Sequence, residues 1–376
     1  MYRLSPYDTH KAELFYRKYA PYIWRRVDFW LNQGTKQVVL EGRDTKHGKT
    51  PDITVNVRVK NGSPTEKFLK AIRKPVGLHW LMTFTPEHLD CVISRIIGMF
   101  PSEQRVLTNK KLNRTIYNDF YDGLTDIDHF HTIVYDVFVE SVFDGEENRI
   151  PVFDRQQFCR KVGATICPYC GAEDITVSPV QRKEGVTYVK PDVDHFLPKA
   201  QYPYLAMSFA NLIPSSVSCN RSRKHTFDPL ASVNPFRYKL MLPYLFDEQR
   251  FHFSYDVENS KYLTDDAYRI RIDYHGDSDL EEGYSGQMGI DALYATKGYM
   301  LKNLYVVMSG VSADYMQLLA TMGVEIRDGE KIKRPSLESL IGHSDTIEES
   351  GKYPYHKFYK DMVIQMLNDG NCGWCW

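Results

Sequence analysis

The sequence has no surplus of either charge and no long apolar run. Its 376 residues carry a formal net charge of -1, so any affinity for a polyanion must come from a local patch of positive charge. No stretch of about 18 apolar residues is present, and the amino terminus lacks the apolar core of a signal peptide. These absences predict a cytoplasmic protein without a membrane-spanning segment.

The chain also lacks internal repeats, low-complexity segments and any long linker rich in proline, glycine or serine. Apolar residues make up 43% and charged residues 25%, as in ordinary globular proteins, and the length suggests two or three domains. We predict an α+β fold in three parts. A mainly helical N-terminal region with a short strand pair covers residues 1–150, a central domain covers 151–240, and strands followed by helices cover 241–376.

Apolar periodicity locates individual elements. Residues 36–44 and 52–60 predict the strand pair, and Thr85-Pro86 predicts the start of a helix. The expected buried face of that helix is Leu89, Val92, Ile93, Ile96 and Ile97. Farther along, 251–256 and 268–274 alternate like strands, 289–323 predict one long or broken helix, and 356–367 predict a last helix.

Two Cys-x-x-Cys pairs, Cys167–Cys170 and Cys372–Cys375, are among the seven cysteines. An odd number in an intracellular chain argues against a disulfide framework, so these pairs indicate metal binding or redox chemistry. A thioredoxin-like redox pair needs a strand-to-helix setting, whereas the residues after Cys170 predict two strands joined near residues 183–185. Zinc is therefore the favoured interpretation of the first pair.

An Asp-His pair, Asp194-His195, stands at the predicted end of the second of these strands. Asn211 follows in a loop, and Asn220 opens a predicted helix. A histidine near neutral pKa takes a proton from water, and Mg²⁺ prefers oxygen ligands such as those of Asp194 and Asn220. The Asn211 amide is suited to hold the loop and the imidazole in place. Together these residues supply what phosphodiester hydrolysis requires.

Positive charge follows Asn220 directly, at Arg221, Arg223 and Lys224. Around the N-terminus of a helix, where backbone N–H groups favour phosphate, these side chains would contact nucleic acid. The alternative is a solvated helix face. Their nearness to the Asp-His pair favours phosphate binding.

Five segments occur in a fixed order within about residues 165–235: CPYC, DVDHFLPK, YPYLA, NLIPS and CNRSRK. In these segments the chain resembles the HNH endonucleases, also called His-Me or ββα-metal finger nucleases. The flanks FDRQQFCRKVGATICPYCG and DPLASVNPF resemble those of bacterial HNH proteins found with anti-phage defence and mobile elements. The resemblance implies a ββα-metal nuclease core embedded between mainly α-helical regions.

The resemblance also implies a role for each residue of the site. His195 would be the general base that activates water, Asp194 and Asn220 would bind a catalytic Mg²⁺ or Mn²⁺, and Asn211 would orient the histidine loop. The implied substrate is DNA, expected to be double-stranded. Since about three quarters of the chain lies outside the finger, an activating or regulatory protein partner is also expected.

The chain departs from the family pattern at one zinc position. Many relatives carry a second Cys-x-x-Cys just before the final Asn or His, and here Ser216 replaces its first cysteine. The three remaining zinc ligands are Cys167, Cys170 and Cys219. The candidates for a fourth ligand are His225, Cys372 and Cys375. A hydroxyl is a poor zinc ligand, so Ser216 is not assigned, and a finger held by packing without zinc is the remaining alternative.

Two further hypotheses belong to other classes of protein. One is a zinc-supported nucleic-acid-binding module without nuclease activity, although the presence of both Asp194 and His195 counts against it. The other is a regulatory or scaffolding protein whose helical flanks bind a partner.

Overall fold

Helices and strands are mixed in a computed structural model of the chain, as expected for an α+β protein. The structure describes residues 4, 7–32, 36–40, 44–45, 48–49, 53–99, 142–143, 149–150, 155–182, 185–189, 191–199, 201–233, 235–257, 264, 267–310 and 352–368. Within these ranges, no helix has both the length and the apolar character that crossing a membrane requires.

Helices dominate the described N-terminal residues. They are α1 (Thr9–Leu31), α2 (Pro64–Arg73), α3 (Pro75–Thr83) and α4 (Leu89–Ile97). Side-chain caps fix two of their starts, because Asp8 accepts a hydrogen bond from Lys11 N and Ser63 accepts one from Glu66 N. Helix α1 packs against both α2 and α3, which places this bundle on one side of the central region.

The predicted elements of this part are confirmed, with one change at a helix start. Strand β1 (Lys36–Leu40) pairs antiparallel with β4 (Ile53–Val57), and the short strands β2 (Asp44–Thr45) and β3 (Gly48–Lys49) pair between them. The five apolar residues expected to be buried in α4 are all buried. A 3-10 turn, Pro86–His88, precedes α4, and the Thr85 hydroxyl bonds to His88 rather than to the helix backbone.

The central residues contain two separate strand pairs. After β5 (Val142–Phe143), β6 (Arg149–Ile150) and α5 (Arg155–Val162), the predicted hairpin is confirmed as β7 (Ser178–Arg182) and β8 (Gly185–Val189). Asp194-His195 does not end this hairpin, so that prediction is wrong. The pair lies on β9 (Asp192–His195), which pairs with β10 (Leu212–Ser215). Pro191 stands just before β9, where a residue without an N–H interrupts a strand ladder.

A short π-helix, Ser218–Lys224, follows β10 and is called here the Cys219 helix. The strands after it are β11 (Leu230–Val233), β12 (Phe236–Tyr238), β13 (His252–Val257) and β14 (Tyr268–Asp273). The helices after them are α6 (Ser278–Glu281), α7 (Ile290–Ala295), α8 (Gly298–Gly310) and α9 (His356–Asn368). The two predicted strands β13 and β14 and the last helix are confirmed, and the two strands pair antiparallel. The predicted helix 289–323 is broken between α7 and α8, and its end lies outside the described residues.

A continuous hydrophobic core joins the flanking regions to the central one. On the N-terminal side, Phe15, Phe158 and Phe209 meet with ring centroids 5.4–6.0 Å apart. The Ser208 hydroxyl also donates to the Leu81 carbonyl over 2.7 Å. On the C-terminal side, the Tyr294 hydroxyl of α7 donates a hydrogen bond to the Cys170 carbonyl. Both flanking regions therefore contact the segment that carries the candidate site.

Candidate functional site

The candidate site is built on the short antiparallel pair β9–β10. In its register His195 lies opposite Leu212, and Asp194 lies opposite Ile213. Side chains alternate along β9, so Asp192 and Asp194 are buried on one face while His195 is partly exposed on the other. The whole of β10 is buried, which holds β9 firmly in place.

The His195 ring is oriented by a backbone carbonyl. Its Nε2 lies 3.0 Å from the Ala206 oxygen, and a carbonyl oxygen only accepts hydrogen bonds. The neutral ring therefore carries its hydrogen on Nε2, which leaves the Nδ1 lone pair as the proton acceptor. This is the tautomer that a general base at Nδ1 requires.

Burial keeps this imidazole uncharged. Desolvation, together with the nearby positive charge of Lys199, lowers the pKa of His195 to about 3. The hydrogen bond to Ala206 acts in the opposite direction, and the charge of Lys224 adds to the lowering. At neutral pH the ring is therefore uncharged, and its Nδ1 is not protonated.

Asn211 fastens the loop that follows His195. Its Oδ1 accepts the Leu197 N–H over 2.8 Å, and its Nδ2 donates to the Leu197 carbonyl over 3.1 Å. The same Nδ2 donates to the Leu205 carbonyl over 3.2 Å, next to the residue that binds the imidazole. The Asn211 backbone oxygen also accepts the Phe196 N–H. One buried amide therefore fixes both ends of the histidine loop.

Asp194 is part of a buried ion pair. Lys224 Nζ lies 3.0 Å from one Asp194 oxygen and 3.2 Å from the other, and it donates to the His195 carbonyl over 2.8 Å. The Tyr169 hydroxyl donates to the same carboxylate over 2.6 Å. Burial raises the pKa of Asp194, while Lys224 and Tyr169 act in the opposite direction. The prediction that Lys224 contacts nucleic acid is wrong, because its side chain is 0% exposed.

The Asp192 carboxylate accepts hydrogen bonds from Asn220 and from two arginines. Asn220 Nδ2 donates to Asp192 Oδ2 over 3.1 Å, and Arg221 binds both carboxylate oxygens at 2.6 and 2.9 Å. Arg155, the first residue of α5, adds a longer contact at 3.4 Å. The hydrogen bonds from Arg221 hold the pKa of Asp192 below its usual value, against the effect of burial. Unlike Lys224, both arginines keep much of their surface in solvent.

Arg223 ties the Cys219 helix to the C-terminal region. Its Nη1 donates to the carbonyls of Met288 and Gly289 over 2.8 and 3.1 Å. Gly289 has a φ of 59°, a left-handed conformation that glycine adopts without strain. Arg223, predicted to contact nucleic acid, thus makes structural contacts here, and of the three predicted cations Arg221 is the most exposed.

The predicted Mg²⁺ site does not fit this arrangement. Both oxygens of Asp194 already have partners, one of them a cation with no exposed surface. The hydrogen bond from the Asn220 side chain reaches Asp192 rather than Asp194. An ion held by Asp194 would have to displace Lys224 from a buried site, which is energetically costly.

The thiols predicted as zinc ligands do come together. The sulfurs of Cys167, Cys170 and Cys219 lie within 4.8 Å of one another, and all three residues are buried. Tetrahedral zinc with Zn–S bonds of about 2.3 Å separates its sulfurs by roughly 3.8 Å, so the cluster fits such an ion. The first two cysteines sit on a tight turn, in which Gly171 N donates to the Cys167 carbonyl at a φ of 66°.

Ser216, which stands where the HNH pattern has a cysteine, lies beside two of the three thiols. Its hydroxyl accepts the Cys219 N–H over 3.2 Å and also interacts with Cys167. His225 is exposed and contacts Thr226, so it is not a fourth ligand in this arrangement. Cys372 and Cys375 lie outside the described residues. In the part of the chain that is described, no carboxylate or imidazole joins the three sulfurs.

Hydrogen bonds within the cluster make Cys167 the most acidic of the three thiols. Burial raises the pKa of Cys167, but hydrogen bonds from Cys170, Cys219 and Ser216 outweigh it and leave that pKa well below its usual value. The hydrogen bond to Cys167 raises the pKa of Cys170 to about 11 and that of Cys219 far above its usual value. A bound cation would stabilise all three as thiolates.

The thiol cluster and the acidic strand are directly connected. Tyr169 stands between two of the cysteines and donates to Asp194. Cys219 lies on the same short helix as Asn220 and Lys224. Sequence analysis missed Tyr169, Asp192 and Arg155. Of these three, only Asp192 could have been found from the sequence, because it stands two residues before Asp194 and residues two apart in a strand share a face.

A cavity of about 460 Å³ lies beside the histidine loop, with Phe196 in its wall. Its lining includes five acidic residues and two arginines, and each arginine is paired with one of the acids, Arg237 with Asp279 and Arg250 with Asp277. An excess of negative charge repels phosphate. This cavity is therefore unsuited to a nucleic-acid backbone.

Comparisons with protein-family models, with curated proteins and with solved structures found no match to this chain. The geometry of the site and the resemblance in short segments are therefore what support a proposed function.

Proposed function

We propose that this protein is an endonuclease that hydrolyses phosphodiester bonds in DNA, with His195 as the general base. The observation that carries the proposal is the state of the imidazole: neutral, held through Nε2 by the Ala206 carbonyl, and with Nδ1 as acceptor. A base prepared in this way takes a proton from water attacking phosphorus. The three hydrogen bonds of Asn211 keep the ring in position.

The order of the elements supports the resemblance to HNH nucleases. Two antiparallel strands, β9 and β10, are followed by the Cys219 helix, whose Asn220, Arg221 and Lys224 all bind carboxylates of β9. A ββα finger has the same succession of two strands and a helix. The cytoplasmic setting, the role in anti-phage defence or mobile elements, and an activating protein partner are proposed from the resemblance alone.

Two metals belong to the proposal. Zinc would be held by Cys167, Cys170 and Cys219 and would fix the helix against the Cys-Pro-Tyr-Cys turn. A Mg²⁺ or Mn²⁺ ion, when bound, supplies positive charge to the phosphate and the leaving oxygen. Since Asp194 does not fit as a ligand of such an ion, a divalent requirement is proposed from the resemblance and has to be measured.

The test is cleavage of supercoiled plasmid by purified protein in Mg²⁺, in Mn²⁺ and in EDTA. His195→Ala is compared with His10→Ala, a matched variant of an exposed histidine on α1, outside the site. We expect nicking by the wild type and by His10→Ala, and a loss of at least about 100-fold in His195→Ala. Equal cleavage by both variants would contradict the role of His195.

A nucleic-acid-binding module without nuclease activity is the second candidate. It is favoured by one observation: Asp194 and Asp192 both have a cation of the protein itself as partner. Plasmid that is shifted in a gel but uncut in every metal would support this candidate. The absence of both binding and cleavage would contradict the two proposals together.

A further inference from the structure

Two arginines from distant parts of the sequence converge on one buried carboxylate. The Asp192 side chain is 6% exposed, while those of Arg221 and Arg155 are 63% and 46% exposed. Arg221 lies on the Cys219 helix, and Arg155 begins α5. Asp192 thus acts as an anchor beneath two guanidinium groups at the surface.

The charges of this group do not cancel. One carboxylate faces two guanidinium groups, which leaves a net charge of +1 where the arginines reach solvent. A guanidinium has five N–H donors, and Asp192 uses only Nε and Nη2 of Arg221 and Nη1 of Arg155. The other N–H groups form a fork of the kind that binds phosphate oxygens.

The anchor also sets the position of the two arginines relative to the proposed base. Asp192 and His195 lie on the same four-residue strand, which is held by the buried β10. Asn220, next to Arg221, adds a hydrogen bond to the anchor. Because the side chains of Asp192 and His195 lie on opposite faces of β9, a phosphate bound by these arginines would be a different one from the phosphate on which His195 acts.

We propose that Arg155 and Arg221, oriented by Asp192, form a clamp for a phosphate of the DNA backbone. This inference rests on the proposed function, because it names the binding contact that the nuclease uses. The clamp supplies affinity and register without sequence preference, as phosphate contacts do. Asp192 is a positioning residue, since it acts through the two arginines.

Binding of a fluorescent DNA duplex across a series of salt concentrations tests the clamp, in a His195→Ala background that prevents cleavage. We expect Arg155→Ala and Arg221→Ala each to raise Kd several-fold and to reduce the slope of log K against log salt by about 1. Arg237→Ala is the matched control, because that arginine is equally exposed and paired with an aspartate but lines the acidic cavity. Its Kd should not change.

The Asp192→Asn variant distinguishes two explanations of DNA binding: a clamp of oriented arginines, and a general attraction between opposite charges. Removing a negative charge should tighten DNA binding if only net charge matters, whereas loss of the anchor should weaken it if the arginines must be oriented. Asp174→Asn, at an exposed aspartate of the Cys-x-x-Cys region, makes the same charge change outside the clamp. We expect weaker binding for Asp192→Asn and unchanged or slightly tighter binding for Asp174→Asn.

The outcomes distinguish failure of the clamp from failure of the nuclease proposal. If the wild type cuts DNA but both arginine variants bind like their parent, the clamp is wrong and the nuclease proposal stands. If the His195→Ala parent does not bind DNA at all, both are wrong. Should Asp192→Asn fail to fold, the two exposed arginine variants still decide the matter.

Discussion

Two carboxylates on one face of β9 have opposite surroundings. The inner pair, Asp194 with Lys224, has no solvent-exposed cation, whereas the outer pair, Asp192 with Arg221, holds a cation that is 63% exposed. Residue types alone do not distinguish the two pairs. Because Lys224 is buried, we expect the inner pair to stabilise the interior of the protein. Because Arg221 is exposed, we expect the outer pair to offer positive charge to a ligand.

The energetics of the two pairs differ for the same reason. A buried ion pair has lost the hydration of both charges, so removing one partner leaves an uncompensated charge in the interior. In the outer pair only the carboxylate is buried, so losing the exposed Arg221 costs less, since Asp192 keeps Arg155 and Asn220 as partners. We therefore expect mutations of the inner pair to affect folding and mutations of the outer pair to affect binding.

The largest effect should come from Lys224→Met, which removes the charge but keeps most of the length of the side chain. We expect the free energy of unfolding to fall by about 3–5 kcal/mol, because Asp194 is left buried without its cation. Denaturant unfolding followed by circular dichroism measures it. Arg221→Met is the matched change in the outer pair and should cost clearly less stability, because Asp192 keeps Arg155 and Asn220 as partners; equal losses in both variants would contradict the comparison.

Removing both inner charges should restore part of this loss. In Lys224→Met/Asp194→Asn the interior no longer holds an unpaired charge, so the double variant should be more stable than Lys224→Met alone. A double-mutant cycle from the same unfolding curves gives the coupling. Strictly additive losses would mean that the two side chains do not stabilise each other.

A smaller loss is expected from Asn211→Ala, which leaves the Leu197 N–H without its buried partner. The free energy of unfolding should fall by about 1–3 kcal/mol, and cleavage should fall with it because the histidine loop loosens. Cleavage measured at a temperature where the variant stays folded separates the two effects. Full activity there would show that the loop needs no such fastening.

Zinc affinity tests the link between the thiol cluster and the inner pair. Ser216→Cys supplies a fourth thiolate where the hydroxyl now meets Cys167 and Cys219, so zinc should bind more tightly, as competition with a chromophoric chelator would show. Val217→Cys is the control, because that neighbouring side chain is exposed. If no variant binds zinc, the metal assignment is wrong; if Ser216→Cys binds zinc no more tightly than Val217→Cys, residue 216 does not face the metal.

The lowered pKa of His195 also makes the stability of the protein depend on pH. His195 has a pKa of about 3 in the folded protein and about 6.5 when unfolded, so between these values only the unfolded chain binds the proton. The free energy of unfolding should thus fall as pH drops from about 6.5 towards 3, and His195→Gln should show a shallower fall. Cleavage should show no imidazole titration between about pH 5 and 8. An acid limb near pH 6.5 would contradict this state of the ring.

Sequence patterns predicted the regular elements well. The buried face of α4 and the strands β13 and β14 followed from periodicity and the Cys167–Cys170 pair from its spacing, whereas Cys219 followed from the resemblance. The patterns failed where burial decides the role of a charged residue. Lys224 stands four residues after Asn220, which is about one helical turn, so both side chains face β9. This spacing was a usable signal that Lys224 points inward. Arg155 is 37 residues from Asp192 and could be placed beside it only by the fold.

Chemical rescue of His195→Gly by added imidazole tests the central claim most directly. The measurement is the rate of plasmid nicking as imidazole is increased, for this variant and for the wild type. The account predicts that imidazole restores cleavage to the variant in proportion to its concentration and leaves the wild type unchanged. Nicking by His195→Gly at the wild-type rate without imidazole would contradict the claim that His195 is the base.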